Sequence, residues 1–176
     1  MTGSEVDVLE IRKARDGDLA ALARGIRVPS ADQHRMRLAE QAGGSITYLV
    51  AWLGEQPAGY GLIRWVGPRE PAIADALAGC PEIFSLEVLE RLRGRGIGTR
   101  LLASLEGEAR ERGFSRVGLG VALENEAARR LYLRLGYRRS GLPEYIDRWV
   151  WLDEAGQPHQ EADPCEFLVK DLFSPG

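Results

Sequence analysis

The sequence has few of the residues that build covalent or metal-bound frameworks. Its 176 residues include two cysteines, Cys80 and Cys165, and two histidines, His34 and His159. Their spacing matches neither a disulfide framework nor a recognised zinc motif. Free, partly buried thiols are therefore favoured over a disulfide, and no bound metal is expected.

Long apolar runs are also missing. No stretch approaches the roughly 18 apolar residues of a membrane span. The segment 1–11 is acidic and lacks the apolar centre of a signal peptide. The sequence therefore predicts a cytoplasmic protein with no membrane partner.

The sequence has no large excess of either charge, since it contains 23 basic and 26 acidic residues and its net charge is −3. Such a chain has no overall field that would recruit nucleic acid. Lysine is scarce, because Lys13 and Lys170 are the only two and the other 21 basic residues are arginines. Lineage bias accounts for most of these arginines. The exception is the segment 91–100, which holds four arginines, three glycines and no acidic residue.

The remaining composition, 44% hydrophobic and 28% charged, is that of an ordinary globular protein. A chain of this length buries about 70% of its unfolded surface around one core. No repeat or linker divides it, so we expect a single domain over residues 1–176.

Hydrophobic periodicity and turn residues predict the order of the elements. A β-hairpin in the first half and a strand-helix-strand-helix order in the second indicate a mixed α/β sheet. The last two strands are expected to be joined by a polar loop over 153–164. The predicted strands are 8–12, 46–53, 58–66, 83–89, 117–122, 145–151 and 166–169, and the predicted helices are one from Asp16 to before Pro29, 31–42, 72–78, 96–112 and 125–135.

The turn 93–99 lies between a predicted strand and a predicted helix. Backbone amides at such a helix N-terminus point at whatever lies beyond the strand, and they form a pocket for an anion. Glycines there permit unusual backbone angles and arginines raise the local potential, and both kinds are present: Gly94, Gly96, Gly98, Arg93 and Arg95. The turn lacks the lysine of a P-loop and the last glycine of the dinucleotide fingerprint. An ordinary tight turn with solvated arginines is the alternative interpretation.

Several short motifs surround this turn at characteristic distances: Leu86-Glu87-Val88, Arg93-x-x-Gly96-x-Gly98, Asn125, Leu131-Tyr132 and Leu135-Gly136-Tyr137. Together they resemble the general-control-related N-acetyltransferase superfamily, GNAT. The resemblance covers about residues 82–137, and the order of predicted elements extends it over most of the chain.

This resemblance implies a mixed, mostly antiparallel sheet of about six to seven strands, flanked by helices and splayed at the strand before the turn. It also implies acetyl-CoA as co-substrate, with its pyrophosphate on the turn amides and its pantetheine along the preceding strand, like an added edge strand. The implied cofactor-binding residues are Leu86, Val88, Arg93, Gly94, Arg95, Gly96, Ile97, Gly98, Thr99, Asn125 and Tyr132. Five arginines stay open as partners of the ribose phosphate: Arg95, Arg100, Arg129, Arg130 and Arg134.

The chemistry that the resemblance implies is direct attack of an amine on the thioester, which needs a base for the ammonium and a stabilised thiolate. Tyr132 is the expected hydrogen-bond donor to the sulfur, and Glu82 and Glu87 are the candidate bases, with a base acting through water left open. Each has a structural alternative: a helix cap for Asn125, core packing for Tyr132, and solvated or capping acids for the two glutamates. Without a bulge, Glu82 and Glu87 face opposite sides of their strand.

The acceptor implied is a small-molecule amine, entering near 27–34 and 144–151, where acidic side chains suit a cation. GNAT members that acetylate ribosomal-protein N-termini have a glutamate where this chain has Gly120, which counts against their mechanism. Acetylation of a protein lysine or N-terminus is the alternative activity. A non-catalytic acyl-CoA sensor is the alternative of another class, and a homodimer is compatible with each.

Overall fold

The computed structural model describes residues 8–28, 32–153, 155 and 157–173, and the chain divides into two units. The first unit comprises Met1–Leu62 with Ser85–Leu105, and the second comprises Ile63–Phe84 with Glu106–Gly176. The boundaries fall inside two strands and one helix, so no linker separates the units along the chain.

The secondary structure alternates between strands and helices along the described chain. Two short 3₁₀ turns, Asp16–Asp18 and Glu90–Leu92, precede the first and fourth helices. The elements in chain order are β1 (Leu9–Lys13), α1 (Leu19–Gly25), α2 (Gln33–Ala42), β2 (Ile46–Leu53), β3 (Gln56–Arg64), α3 (Pro71–Ala76), β4 (Glu82–Val88), α4 (Ile97–Glu111), β5 (Arg116–Ala122), α5 (Glu126–Arg134), β6 (Arg138–Arg139), β7 (Tyr145–Leu152) and β8 (Pro158–Asp171).

In the first unit the strand order is β1-β2-β3-β4. β2 is rich in β-branched and aromatic residues and is buried over seven of its eight positions, as expected of a strand covered on both faces. β3 and the end of β4 approach closely at two glycines. A Cβ on Gly59 would lie 2.6 Å from the Glu87 carbonyl oxygen, and one on Gly61 would lie 2.9 Å from Leu86 Cδ1. Glycine at both positions therefore lets the second half of β4 pack directly on β3.

In the second unit the order is β4-β5-β8-β6, with β7 paired to the first half of β8. β4 and β5 are parallel, whereas β5, β6 and β7 each run antiparallel to β8. The core of this unit includes Ile73, Cys80, Phe167 and Val169, with Tyr145 packed against them. Cys80 and Cys165 are both buried and free, as predicted.

The predicted fold is confirmed as a mixed, mostly antiparallel α/β architecture flanked by helices, with eight strands in the described part instead of six or seven. The predicted loop over 153–164 is wrong from Pro158 onward, because β8 begins there and pairs with β7. Residues 158–162 are exposed and polar or small, so they carry no hydrophobic alternation that would mark a strand. The two-residue strand β6 has no sequence signal either.

None of the helices in the described residues combines the length and the apolar character needed to cross a bilayer.

Candidate functional site

The turn before α4, in the first unit, has the backbone of an anion-binding site. Gly94 and Gly96 have φ values of 75° and 77°, in the left-handed region that favours glycine. A Cβ on either would meet no atom within 4 Å, so the outer side of the turn is open. The Arg100 amide bonds to the Gly96 carbonyl oxygen at 3.0 Å and begins the helical ladder. The amides of Ile97–Thr99 therefore precede that ladder and lie at the positive end of a 15-residue helix.

Three arginines in and just before this turn add positive charge without an ion pair in the described part of the chain. Arg91, Arg93 and Arg95 are exposed, and none has a carboxylate within 4 Å among the described residues. Arg93 is held by a bond of 3.2 Å from its Nε atom to the Val88 carbonyl oxygen. The turn thus joins free amides, a helix dipole and unpaired guanidinium groups, which is the arrangement that a diphosphate requires.

Of the five arginines considered for a ribose phosphate, three are engaged within the protein. Arg129 pairs with Glu166 at 3.0 Å, Arg130 pairs with Glu126 at 3.1 Å, and Arg100 donates to the Leu9 carbonyl oxygen at 3.3 Å. Arg95 and Arg134 are exposed, and neither has an ion pair with a described residue.

β4 is distorted at Ser85, which has a φ of 50°. Its parallel ladder with β5 consists of two residue pairs and ends at Ile83. A non-glycine residue in the left-handed region inside a strand breaks the regular alternation of side chains. The opposite-parity argument for Glu82 and Glu87 therefore does not hold across Ser85.

Glu87 lies in the second half of β4, beside the residues predicted to flank pantetheine. It is exposed, and it accepts a hydrogen bond of 3.0 Å from the Tyr60 hydroxyl. Burial raises the pKa of Tyr60 to about 12, so this phenol stays protonated and donates to the carboxylate at neutral pH. Leu86 and Val88 are partly buried, and a Cβ on Gly98 would contact Val88 Cγ2 at 3.5 Å.

Glu82 lies in the first half of β4, in the second unit, and is 8% exposed. Its carboxylate accepts a hydrogen bond from Arg64 Nη1 and another of 3.0 Å from the Arg69 amide. Burial raises the pKa of Glu82, and the charge of Arg64 opposes that rise. A raised pKa suits a general base, but the ion pair with Arg64 already uses one of its oxygens.

Asn125 caps the N-terminus of α5, which confirms the prediction that this residue serves as a helix cap. Its Oδ1 atom accepts a bond of 3.2 Å from the Ala128 amide. The side-chain NH₂ group keeps its two donors, so the cap leaves Asn125 able to donate to a ligand.

Tyr132 lies two turns along α5 and packs on Tyr137, with ring centroids 5.8 Å apart. Burial raises its pKa. Its hydroxyl has no hydrogen-bond partner among the described residues, whereas the Tyr137 hydroxyl donates to Glu106 at 3.0 Å, and Lys170 holds the same carboxylate. Tyr137 is therefore tied into the core, and Tyr132 has a protonated hydroxyl available to a ligand.

Gly120 has a neighbour that the sequence did not reveal. A Cβ at this position would lie 2.2 Å from the Tyr145 hydroxyl oxygen. The Tyr145 hydroxyl thus occupies the space that a side chain at position 120 would need. The tyrosine comes from β7, and the contact joins residues 25 positions apart, so no local pattern indicates it.

The acidic side chains near the expected acceptor region are mostly engaged. Asp147 pairs with Arg69, Asp163 accepts a bond of 3.4 Å from Trp149 Nε1, and Asp153 contacts His159 at 2.9 Å. Residues 29–31 and 154 lie outside the described residues. These engagements weaken the expectation that free acids there receive a cationic amine.

Comparison with known proteins shows which family and which proteins this chain is similar to. The sequence model of the acetyltransferase (GNAT) family matches residues 16–137. An aminoalkylphosphonate N-acetyltransferase from Salmonella typhimurium is 44% identical over 59 residues, which are 34% of this chain and 38% of that protein. The chain thus spans less than half the length of the curated relatives that it matches.

Two solved structures share the fold at low identity. The ribosomal-protein-alanine N-acetyltransferase from Brucella melitensis has a TM-score of 0.67 and 24% identity, over 92% of this chain and 99% of that one. An N-acetyltransferase from Thermoplasma acidophilum in complex with coenzyme A has a TM-score of 0.64 and 16% identity, over 93% and 99%.

Proposed function

The chain belongs to the acetyltransferase (GNAT) family, and we propose that it transfers the acetyl group of acetyl-CoA to the primary amine of a small molecule. The proposal takes residues 1–176 as one N-acetyltransferase domain working in the cytoplasm, where acetyl-CoA is supplied. The observation that carries it is the turn before α4, where free amides, positive-φ glycines and unpaired arginines favour a diphosphate. The described residues contain no group of three or more His, Cys, Asp or Glu side chains that could hold a metal ion, and the proposed chemistry requires none.

In the proposed complex, the amides of 97–99 bind the pyrophosphate, and the backbone of Leu86 and Val88 pairs with pantetheine. Glycine at 94 and 96 keeps side chains away from the diphosphate, because a Cβ there would project into the open side of the turn. Asn125 is proposed to contribute its NH₂ donors from the start of α5.

The proposed reaction is one direct displacement. The amine nitrogen forms a bond to the thioester carbonyl carbon, the carbon–sulfur bond breaks, and coenzyme A leaves as a thiolate that takes up a proton. The ammonium form of the amine first loses a proton to a base. Both proton movements are needed, since a protonated amine has no lone pair and a thiolate is a better leaving group when it is hydrogen-bonded.

Tyr132 is proposed to stabilise the departing thiolate. Its unperturbed pKa is about 10 against about 8.5 for a thiol, so complete proton transfer is uphill by about 2 kcal/mol, and burial makes it harder. Tyr132 therefore acts as a hydrogen-bond donor, and solvent completes the protonation.

Two carboxylates remain as the proposed base. Glu87 is exposed and receives one hydrogen bond from Tyr60, whereas Glu82 is buried against Arg64. The exposure of Glu87 and its place beside Leu86 and Val88 favour it. The raised pKa of Glu82 favours that residue instead, since Arg64 and the Arg69 amide both donate to its Oε2 atom.

Thiol release from acetyl-CoA tests the activity and the role of Tyr132 together. Over a panel of amines, Tyr132→Phe should lower kcat about 10- to 100-fold, the value of one hydrogen bond to a charged group, with a much smaller change in acetyl-CoA affinity. Tyr137→Phe is the matched control, because it removes a phenol bonded to Glu106 and should lower stability without changing the kcat of the folded enzyme. Unchanged kcat in Tyr132→Phe would remove this residue from the mechanism.

The pH dependence of kcat/KM separates the two carboxylates. The variant that removes the base, Glu82→Gln or Glu87→Gln, should lose the rise in rate with increasing pH. Wild-type profiles in both variants would leave a base acting through water.

Two other functions are the alternatives to this proposal. Fold neighbours include an enzyme named for ribosomal-protein alanine, but here Tyr145 occupies the space beside Gly120, which counts against that mechanism. An acyl-CoA sensor would bind acetyl-CoA at the same turn and release no thiol with any amine. The small-molecule proposal is supported by the similarity to an aminoalkylphosphonate N-acetyltransferase.

A further inference from the structure

One arginine of the first unit is buried with no carboxylate partner in the part of the chain that the structure describes. Arg37, in the middle of α2, is 7% exposed, and it has no carboxylate within 4 Å among the described residues. Its Nη1 atom is buried without a hydrogen-bond partner. Buried guanidinium groups are normally paired, because an isolated charge is expensive to remove from water.

The surroundings of Arg37 are aromatic and polar. Its guanidinium carbon lies 4.8 Å from the centre of the Tyr60 ring and 5.6 Å from that of Tyr48. These rings stabilise the cation but supply no anion. One turn earlier on α2, Gln33 Oε1 is also buried without a partner. A donor and an acceptor spaced by four residues on one helix face are thus both unsatisfied.

His34 does not act as the missing partner. Its Nε2 atom is 3.4 Å from the Ile26 carbonyl oxygen and its Nδ1 atom is 2.9 Å from the Tyr48 hydroxyl. Because a carbonyl only accepts, Nε2 carries the proton and Nδ1 accepts from Tyr48. The ring is neutral in this arrangement, and both of its nitrogens are used.

The cluster formed by Arg37, Tyr48 and Tyr60 is connected to β4, the strand that carries the proposed base Glu87. Tyr60, under the Arg37 guanidinium, donates its hydroxyl to Glu87 in the second half of β4. One end of the cluster therefore holds an unpaired cation, and the other holds a carboxylate that would attract an ammonium group. A molecule bearing an anion and an amine matches both ends.

We infer that Arg37 recognises an anionic oxygen of the acceptor, a carboxylate or a phosphonate, so that the substrate is an amino acid or an aminoalkyl oxyacid and not a simple amine. The inference rests on the proposed function. Its physical basis is that an oxyanion would complete the unused donor of Arg37 through a charge-assisted hydrogen bond.

Matched acceptors test the inference in the wild-type enzyme. β-Alanine, 2-aminoethylphosphonate and propylamine carry similar primary amines and differ in the anion. Thiol release should give a kcat/KM about 10- to 100-fold higher for one or both anionic acceptors than for propylamine, mainly through KM. Comparing the carboxylate with the phosphonate identifies which oxyacid the site prefers. Equal values for all three acceptors would overturn the inference while leaving the proposed function intact.

Variants of α2 locate the effect. Arg37→Met should abolish the preference for the anionic acceptors, and Arg37→Lys, which keeps the charge but loses the planar donor fork, should retain part of it. Arg35→Met is the matched control, since Arg35 is exposed on the same helix and pairs with Asp32 at 3.5 Å. A full preference surviving in a folded Arg37→Met protein would overturn the inference.

A binding measurement separates the two proposals. At constant ionic strength, 2-aminoethylphosphonate or β-alanine should raise the melting temperature of the wild type and of Arg35→Met, but not that of Arg37→Met. No thiol release with any amine would refute the proposed function, and the melting shift would still decide the role of Arg37. Absence of a shift with both compounds in the wild type would overturn it.

Discussion

Substitution of Gly120 by alanine gives a quantitative test of the contact with Tyr145. The new Cβ would lie 2.2 Å from the Tyr145 hydroxyl oxygen, far inside contact distance, and 3.5 Å from Cζ, which is an ordinary contact. Tyr145 cannot easily move away, because its ring packs against the cluster that contains Phe167 and Cys80. Gly120 itself has no positive φ, so its backbone accepts alanine.

The expected free energies follow from these distances. Overpacking by one methyl group in such a site costs about 1–3 kcal/mol. Removing the hydroxyl in Tyr145→Phe relieves the clash, and alanine in place of glycine in a strand then gains about 0.5–1 kcal/mol. Gly120→Ala should therefore destabilise the wild type and be neutral or stabilising in the Tyr145→Phe background, with a coupling free energy of about 1–3 kcal/mol.

Urea denaturation of the four proteins of this double-mutant cycle, followed by tryptophan fluorescence, measures the coupling. The m-values should agree, so that differences in midpoint report stability. Tyr145→Phe alone should change stability little, because the hydroxyl has no hydrogen-bond partner among the described residues. An equal cost of Gly120→Ala in both backgrounds would refute the contact as the reason for glycine at this position.

Two further predictions concern the turn and the buried histidine. Gly96→Ala should cost about 1–2 kcal/mol of stability, because Gly96 has a φ of 77°. The same variant should bind acetyl-CoA more weakly, as measured by calorimetry. The control is Gly107→Ala, within α4 and without positive φ, which should stabilise the protein by about 0.5–1 kcal/mol and leave acetyl-CoA binding unchanged. Burial, assisted by the charge of Arg37, lowers the pKa of His34 in the folded protein. As the pH falls below about 6.5, this histidine is therefore protonated in the unfolded chain before it is protonated in the folded one. The free energy of unfolding should therefore fall between pH 7.5 and 5.5, by at most about 1.4 kcal/mol per pH unit, and His34→Gln should flatten this slope; an unchanged slope in that variant would assign it to other groups.

Most of the elements follow from the sequence because their signals are local. The apolar run of β2, the glycine after α2 and the stripe of α4 each depend on residues within one element. β8 shows the limit of such signals. Its first half has exposed polar side chains, and it becomes a strand only because β7 supplies the hydrogen-bonding partner.

The candidate site likewise contains features that local sequence predicts and features that it does not. The turn 93–99 and the Asn125 cap were predictable, since a glycine pattern and a capping residue act on the backbone next to them. The partners of the candidate bases were not. Tyr60 lies 27 residues before Glu87, and Arg64 lies 18 residues before Glu82, so both bonds form only when neighbouring strands align.

The family of this protein and the position of its glycine-rich turn follow from the sequence alone, because both depend on short segments whose backbone geometry is set by their own residues. The folded structure was needed to show that Tyr145 fills the space beside Gly120 and that Arg37 is buried with no carboxylate within 4 Å among the described residues. Burial and pairing depend on side chains brought together from distant positions. A sequence pattern can mark a charge, but the fold determines whether that charge is solvated, paired or left for a ligand.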